Sequence, residues 1–200
     1  MSNPTPSPAP PPRVIFLIRH GEKPVVVDNT AYNGIDVTGT PNPDCLIPQG
    51  WQRAGGLATL FDTAVGTMRS DLAVPAHLYS PAYGNPDKTI NHRTYEVIAP
   101  LSLRLGLTIN TTYQEGQEAQ LAAAIVANDA DVSLVAWEHD HMPAIAAAIP
   151  VAPGVVVPTI WPDDRFDVIW CFTLVSNPAT PVAYSFASLP QLLLAGDAPV

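Results

Sequence analysis

Residues 14–22 of the chain read VIFLIRHGE, an apolar run that ends in arginine, histidine, glycine and glutamate. Such a short apolar run predicts a buried strand of a parallel sheet. Ligands of open α/β sheets bind outside the carboxyl ends of the strands, and Arg19 and His20 would stand at that edge. A guanidinium matches phosphate oxygens, an imidazole is a nucleophile or proton carrier, and Gly21 lets the backbone approach a ligand closely. The stretch therefore predicts phosphoryl chemistry.

Strand-like and helix-like segments alternate from this stretch to about residue 150. The predicted strands are 13–18, 76–80, 107–110 and 131–137, and the predicted helices are 49–65, 91–105, 118–127 and 142–149. Two later apolar runs, 166–175 and 182–186, predict an antiparallel pair of strands near the C-terminus. The expected fold class is α/β, a three-layer α/β/α architecture with a mostly parallel central sheet and that added pair.

The remaining segments predict a tail and a long loop. Residues 1–12 are rich in proline and small polar residues, which is typical of a disordered or polyproline-II lead and not of a signal peptide. Residues 25–48 hold glycine, proline, asparagine and aspartate at the density of a long loop, and loops of that length are often functional. We expect residues 13–200 to form a single domain.

Composition narrows the choice of partners. The 200 residues carry 9 Lys+Arg against 18 Asp+Glu, a formal net charge of -9, which argues against nucleic acid or an anionic membrane as a partner. No uninterrupted apolar run reaches the length of a membrane span, so we expect a cytoplasmic protein without a membrane partner. Cys45 and Cys171 lie far apart in sequence, a spacing that indicates neither a zinc motif nor a disulfide framework. An anionic substrate would have to be captured by local convergence of arginines.

A second polar cluster, WEHD at residues 137–140, again follows a predicted strand. In a parallel arrangement, His139 would emerge at the same sheet edge as His20. Arg93 lies on or just before the helix that follows the strand ending near Ser80. It could therefore point into the same crevice.

Four pieces of sequence together resemble the histidine phosphatase (phosphoglycerate mutase-like) superfamily. They are FLIRHGE at 16–22, LIPQGWQRA at 46–54, RTYE at 93–96 with Pro100 and Leu101, and WEH at 137–139. The resemblance rests on their order and spacing and covers roughly residues 13–150. It implies a phosphatase that needs no metal or other cofactor, acts on a small phosphorylated metabolite and releases inorganic phosphate.

The resemblance also implies roles for individual residues. His20 would attack phosphorus and form a phosphohistidine, while Arg19, Arg93 and His139 would hold the phosphoryl oxygens. This division is physically reasonable because phosphoryl transfer is catalysed mainly by positioning and electrostatics. Water would then hydrolyse the covalent intermediate.

The leaving alkoxide needs a proton, and three carboxyl groups are candidates for the general acid. Asp140 follows His139 directly, as in the acid-phosphatase branch of the superfamily, and is slightly favoured. Glu115 and Glu118 lie roughly where the mutase-like branch places its glutamate. The sequence leaves the choice open.

Other residues could contact the substrate. Lys23 could meet a second anionic group, His92 could line the pocket, and Glu22 is a further candidate that could instead orient its neighbours. The segment WPDDRFD at 161–167 could pack its aromatic residues beneath the site and tie its charges into a loop network, with Arg165 as an alternative substrate contact.

Three other functions remain open at this stage. The main alternative is a non-catalytic module that binds a phospho-ligand or a protein on the same fold. A phosphomutase is less favoured, because a second set of cations is not evident. A metal-dependent hydrolase using His139 and His141 is also less favoured, because it leaves Arg19 and His20 unexplained.

Overall fold

The first predicted strand lies in the interior of a six-stranded sheet. The computed structural model describes residues 13–62, 68–83, 92–128, 131–176 and 181–200. Its elements are β1 (Val14–Arg19), β2 (Val25–Val27), β3 (Thr30–Tyr32), α1 (Pro48–Leu60), β4 (His77–Tyr79), α2 (Arg93–Glu96), α3 (Ala99–Leu105), β5 (Ile109–Asn110), α4 (Glu118–Val126), β6 (Val132–Trp137), α5 (Met142–Ala148), β7 (Val168–Leu174) and β8 (Tyr184–Pro190).

Strand order in the main sheet is β5-β4-β6-β1-β7-β8. The pairs β5–β4, β4–β6 and β6–β1 are parallel, so four strands present their carboxyl ends at one edge. In the β1–β6 pair, Arg19 lies opposite Trp137. Strands β7 and β8 add the antiparallel part. The predicted fold class, a mostly parallel sheet with an antiparallel addition, is confirmed.

Helices cover both faces of the sheet because β1 is apolar on both. Phe16 and Ile18 pack with residues of α1 and α3, such as Leu57 and Leu101. Ile15 and Leu17 face the other way, into a core shared with α4, α5 and three buried tryptophans. An apolar run without alternation is typical of such a doubly covered strand. The two cores produce the expected α/β/α layers.

Part of the predicted loop 25–48 is a β-hairpin. Strands β2 and β3 pair antiparallel, and the turn between them places Asp28 and Asn29 at φ of 49° and 60°. Aspartate and asparagine tolerate this left-handed conformation, which two-residue hairpin turns require. The loop prediction overlooked this turn signal. The three valines of β2 are exposed, so burial in a core does not explain this strand, and the turn is the signal that predicts it.

The predicted helix 91–105 is two helices. Helix α2 ends at Glu96 and α3 begins at Ala99, with Pro100 in the first turn of α3. Proline lacks an N–H and its ring clashes with the carbonyl four residues earlier, here that of Glu96, which favours a break in the helix at this point. Residue 91 lies outside the described residues, as do 63–65 at the end of the predicted helix 49–65.

The proline-rich tail 1–12 also lies outside the described residues, and the assignment of 13–200 to one domain stays a prediction. Across the described ranges, the helices are too short or too polar to cross a bilayer.

Candidate active site

The carboxyl edge of the parallel strands brings two histidines together. His20 follows β1, and Glu138 and His139 follow β6. The rings of His20 and His139 are 5.6 Å apart, nearly perpendicular, and both side chains are buried. The register of β1 against β6 creates this pair, because it aligns the two strand ends.

A hydrogen bond fixes the orientation of His20. Its Nδ1 lies 2.7 Å from the carbonyl oxygen of Gly21, which can only accept, so Nδ1 carries the proton. Nε2 then lies 3.4 Å from Nη2 of Arg19 and 3.5 Å from Oε1 of Glu138. An imidazole held in this tautomer offers the Nε2 lone pair as a nucleophile.

Burial keeps His20 neutral. Desolvation of the ring lowers the pKa of His20 below 6.5, and the positive charges of Arg19 and Arg93 lower it further. The nearby carboxylate of Glu138 opposes these effects without reversing them. At neutral pH the ring is therefore uncharged.

Arg19 is enclosed by the loop that precedes β7. Its Nη1 donates a 2.6 Å hydrogen bond to the backbone carbonyl of Asp163, and its guanidinium lies 4.0 Å above the ring of Phe166. Burial lowers the pKa of Arg19 to about 10, so the group stays charged at neutral pH. Nε of Arg19 is buried with no hydrogen-bond partner within the described part of the chain. This charge is held close to His20 in a site of low dielectric.

Glu138 bridges the two histidines. Its Oε1 accepts a 2.6 Å hydrogen bond from Nδ1 of His139 and lies near Nε2 of His20. Burial by itself would raise the pKa of Glu138, but its contacts with His20 and His139 and the hydrogen bond from the backbone N–H of Asp140 lower it to about 2. Nε2 of His139 faces the carboxylates of Asp140 and Asp163, at 3.6 and 3.7 Å.

Replacing Glu138 with glutamine tests this coupling. The substitution removes a negative charge that raises the pKa of His20, so we expect that pKa to move further down. The position of the imidazole proton resonances of His20 against pH, followed by NMR, measures the shift. An upward shift, or none, contradicts the assigned contact.

Arg93 opens α2 near the two histidines. Its Nη1 donates a hydrogen bond to the carbonyl of Pro43 at 3.1 Å, and its charge contributes to the lowered pKa of His20. Burial lowers the pKa of Arg93 itself. His92 is half-buried, its ring lies 4.7 Å from that of Tyr83 in a tilted arrangement, and its Nδ1 lies 3.7 Å from Sγ of Cys45. The structure thus places Arg93 within electrostatic reach of His20 and directs His92 to another cluster.

The carboxylate of Glu22 forms an ion pair with an arginine that was not among the predicted site residues. Arg53 of α1, 3% exposed, donates to both carboxylate oxygens of Glu22 at 2.7 to 3.2 Å and also binds Asp197 and Gln191. These contacts favour a positioning role for Glu22 over substrate binding. A signal for Arg53 was available, because it lies on the buried stripe of α1 with Ala54 and Leu57.

Gly21 approaches a helix rather than leaving room for a ligand. A Cβ atom on Gly21 would lie 3.3 Å from the backbone of Gly50 in α1, and one on Gly50 would lie 2.8 Å from the carbonyl oxygen of Glu22. The backbone N–H of Ile47 also donates to that oxygen at 3.2 Å. Two glycines therefore allow the start of α1 to pack directly beneath the segment that carries His20.

The three carboxyl groups proposed as the general acid have different environments. The side chain of Asp140 is 77% exposed. Glu118 is buried and accepts hydrogen bonds from Trp137 Nε1 and Gly116 N, with His141 Nδ1 at 3.2 Å. Glu115 is half-buried, and burial raises the pKa of Glu115, while the negative charges of Glu138 and Glu118 add to that rise.

His139 and His141 have different partners. His139 contacts Glu138, whereas His141 contacts Glu118. Within the described ranges, no group of three potential metal ligands contains both histidines. The geometry therefore lacks the shared site that a hydrolase using His139 and His141 would need.

The segment 161–167 forms one wall of the site. Phe166 packs against His20 at 5.8 Å, and Trp161 packs against Trp170. Arg165 binds Asp167 and the carbonyl of Ala198, so its charge belongs to the loop network. A mostly apolar cavity of about 250 Å³ adjoins this wall and is lined by Glu22, Lys23, Pro24, Val25, Ile47, Gln49, Asp163 and Phe166. Lys23, which is exposed, is the lining residue that brings a positive charge.

The chain is similar in structure to a protein of known structure. It is described as "the crystal structure of a putative alpha-ribazole-5'-P phosphatase" from Escherichia coli, with a TM-score of 0.45 and 13% sequence identity over 90% of this chain and 96% of that one. No family model and no curated protein matches the chain.

Proposed function

We propose that the protein is a phosphatase that hydrolyses a small phosphate monoester through a phosphohistidine at His20, without a metal ion. The observation that carries this proposal is the orientation of His20. Nδ1 is tied to the Gly21 carbonyl, while Nε2 lies beside Arg19 and Glu138, and the ring packs edge-on to His139. A neutral imidazole with one nitrogen anchored and the other unprotonated beside a guanidinium is the arrangement that nucleophilic catalysis needs.

The reaction proceeds in two displacements. In the first, Nε2 of His20 bonds to phosphorus, the P–O bond of the ester breaks, and the leaving oxygen takes a proton from a carboxyl group. In the second, water attacks phosphorus, the P–N bond breaks, and inorganic phosphate leaves. The carboxylate takes the proton of the water, so every group returns to its starting state.

Three cations surround the transferred group in this proposal. Arg19 and Arg93 supply guanidinium groups, and His139 donates from Nε2 when it is protonated. The charge on the equatorial oxygens is neutralised by groups whose positions are already set, because Asp163, Pro43 and Glu138 hold them.

Among the three carboxyl groups, we propose Glu115 as the general acid, in place of Asp140. A general acid has to hold its proton at the working pH, and burial raises the pKa of Glu115. Asp140 is largely in solvent, and Glu118 is committed to Trp137 and Gly116. The mostly apolar cavity beside Phe166 accommodates the leaving group, with Lys23 at its rim.

The Glu115→Gln variant tests this assignment. The reaction needs Glu115 in its acid form, so the rate should fall as the pH rises through the pKa of Glu115, which lies above 4.5. The reaction also needs His20 in its neutral form, so the rate should fall as the pH drops through the pKa of His20, which lies below 6.5. Glu115→Gln should remove the alkaline fall and slow an alkyl phosphate by about 10²- to 10⁴-fold. An aryl phosphate, whose leaving group needs less protonation, should lose less.

The matched control for that experiment is Asp140→Asn, which should retain both the rate and the leaving-group dependence. The reverse result, with Asp140→Asn impaired and Glu115→Gln active, would assign the proton to Asp140. The two pH–rate profiles of kcat/KM provide the measurement.

Hydrolysis of a generic aryl phosphate in the presence of a chelator tests the function itself. We expect turnover that the chelator leaves unchanged. Activity that disappears with chelator and returns with a divalent ion would contradict the proposal and favour a metal-dependent hydrolase. Stabilisation by phosphate against heat, without hydrolysis of a broad panel of esters, would instead identify a phospho-ligand-binding module on the same fold.

A further inference from the structure

A second cluster of reactive side chains lies outside the proposed catalytic groups. Cys45, in the segment before α1, is fully buried, and Glu96 at the end of α2 is 5% exposed. His92, half-buried, precedes α2. One potential ligand atom from each residue lies within 4.8 Å of the other two. The spacing of the two cysteines along the chain does not predict this site, because the three residues of the site come from two segments that are distant in sequence.

We propose that Cys45, His92 and Glu96 form a binding site for Zn²⁺. A tetrahedral Zn²⁺ with ordinary Zn–S and Zn–N bonds separates the sulfur and nitrogen ligands by about 3.6 Å. The Sγ of Cys45 and Nδ1 of His92 are 3.7 Å apart. The match allows an ion to bind both atoms with little movement of either side chain.

Backbone contacts hold the ligands in place. The backbone N–H of His92 donates to the carbonyl of Asp44 at 2.9 Å, and the backbone N–H of Leu46 donates to Oε2 of Glu96 at 2.8 Å. These two hydrogen bonds join the segment around Cys45 to α2 on both sides of the cluster. Such outer contacts orient the ligands of a metal and raise its affinity.

Charge and proton balance favour a divalent ion of this type. Cys45 releases its thiol proton to solvent, and the resulting thiolate together with the Glu96 carboxylate neutralises the two charges of Zn²⁺. Neutral His92 adds the third ligand, and a water molecule completes four-coordination on the half-exposed side of His92. Cysteine and histidine also favour Zn²⁺ over the hard cations Mg²⁺ and Ca²⁺.

His92 directly precedes Arg93, so the ion would lie next to the proposed catalytic centre without entering the reaction. The metal site itself does not depend on the proposed phosphatase activity, because none of its three ligands takes part in phosphoryl transfer.

Cobalt titration of the full-length chain, after removal of bound metal by a chelator, tests the site. Co²⁺ bound by a cysteine thiolate shows a ligand-to-metal charge-transfer band in the near ultraviolet. We expect stoichiometric Co²⁺ to produce this band in the wild-type protein, and Zn²⁺ to displace it. The band reports on the metal site whether or not the chain hydrolyses phosphate esters.

Two cysteine variants provide a matched comparison, since the chain has only two cysteines. Cys171→Ser should keep the band, whereas Cys45→Ser should lose it. Loss of a residue that only orients a metal ligand weakens metal binding by about 10- to 100-fold, and loss of the ligand Cys45 should weaken Zn²⁺ binding by more than that. His92→Gln should weaken binding as well, and it gives a second test if Cys45→Ser does not fold.

Two outcomes would overturn the proposal. One is the absence of the band in the folded wild-type protein. The other is Zn²⁺ binding that Cys45→Ser leaves unchanged and that His139→Gln removes, which would place the ion at one of the two clusters that contain His139, with His20 and Glu138 or with Asp140 and Asp163.

Discussion

The His20→Ala variant is expected to lose hydrolysis of an aryl phosphate almost completely, with kcat/KM falling by about 10⁴-fold or more. The variant lacks the Nε2 atom that forms the bond to phosphorus. The phosphoryl group can still bind to Arg19, Arg93 and His139. The variant has no side-chain nucleophile to accept it. Water would have to attack the ester directly, across the higher barrier that covalent catalysis avoids.

A phosphoenzyme experiment separates loss of the nucleophile from loss of structure. The wild-type protein, quenched during turnover of a radiolabelled ester, should retain label that is stable to base and labile to acid, as a phosphohistidine is. His20→Ala should retain none. Phosphate should still raise the thermal stability of the variant, because the three cations remain.

The control is His77→Ala. His77 begins β4, at the amino end of the strand, and contacts Asn128 and Tyr79 instead of the catalytic groups. We expect it to keep the activity and the acid-labile label. Equal activity in His20→Ala and the wild-type protein would contradict the mechanism, whatever the stability of either.

The second large effect is on stability and concerns Arg53. Arg53→Leu should lower the free energy of unfolding by about 3–5 kcal/mol, since it leaves two buried carboxylates without their cation. Glu22 and Asp197 each lie within hydrogen-bond distance of the same guanidinium, and the side chain of Asp197 is 4% exposed. Leucine fills part of the volume but supplies no positive charge. Denaturant unfolding at neutral pH gives the measurement.

The exposed ion pair of Arg13 with Asp131 is the matched control. Its side chains are 57% and 66% exposed, and such pairs contribute about 0–1 kcal/mol. Arg13→Leu should therefore cost no more than about that amount. An equal cost for Arg13→Leu and Arg53→Leu would show that burial of the Arg53 network is not what stabilises it.

Arg53→Leu should also impair catalysis in the molecules that remain folded. Glu22 follows Gly21, whose carbonyl holds Nδ1 of His20, so loosening Glu22 loosens the orientation of the nucleophile. The activity of Arg53→Leu should be measured at a temperature well below the midpoint of its thermal unfolding. A lower kcat with a small change in KM would then identify Arg53 as a positioning residue. A loss of stability alone would limit its role to the fold.

Much of the sheet could be predicted because β1 is an apolar run and β6 is apolar apart from Ser133, and polar residues follow at the end of each. Burial on two faces leaves little choice for Val14–Arg19 and Val132–Trp137. Weaker local signals were misinterpreted. The break between α2 and α3 depends on the steric effect of Pro100, and the hairpin β2–β3 depends on a turn at Asp28 and Asn29 rather than on burial.

The sequence by itself determined where the strands of the main sheet lie along the chain, the positions of β1 and β6 to within about one residue and the residue types at their ends, because hydrophobic periodicity and polar strand ends are local properties of the chain. Tertiary structure alone decided the partners: Arg53 against Glu22 and Asp197, Phe166 beneath Arg19, and Cys45 beside His92 and Glu96. The residues in these contacts are 31 to 147 positions apart in sequence, and no local sequence pattern links the segments that carry them. Which buried charge meets which partner depends on how the layers pack, and that packing is a property of the whole fold.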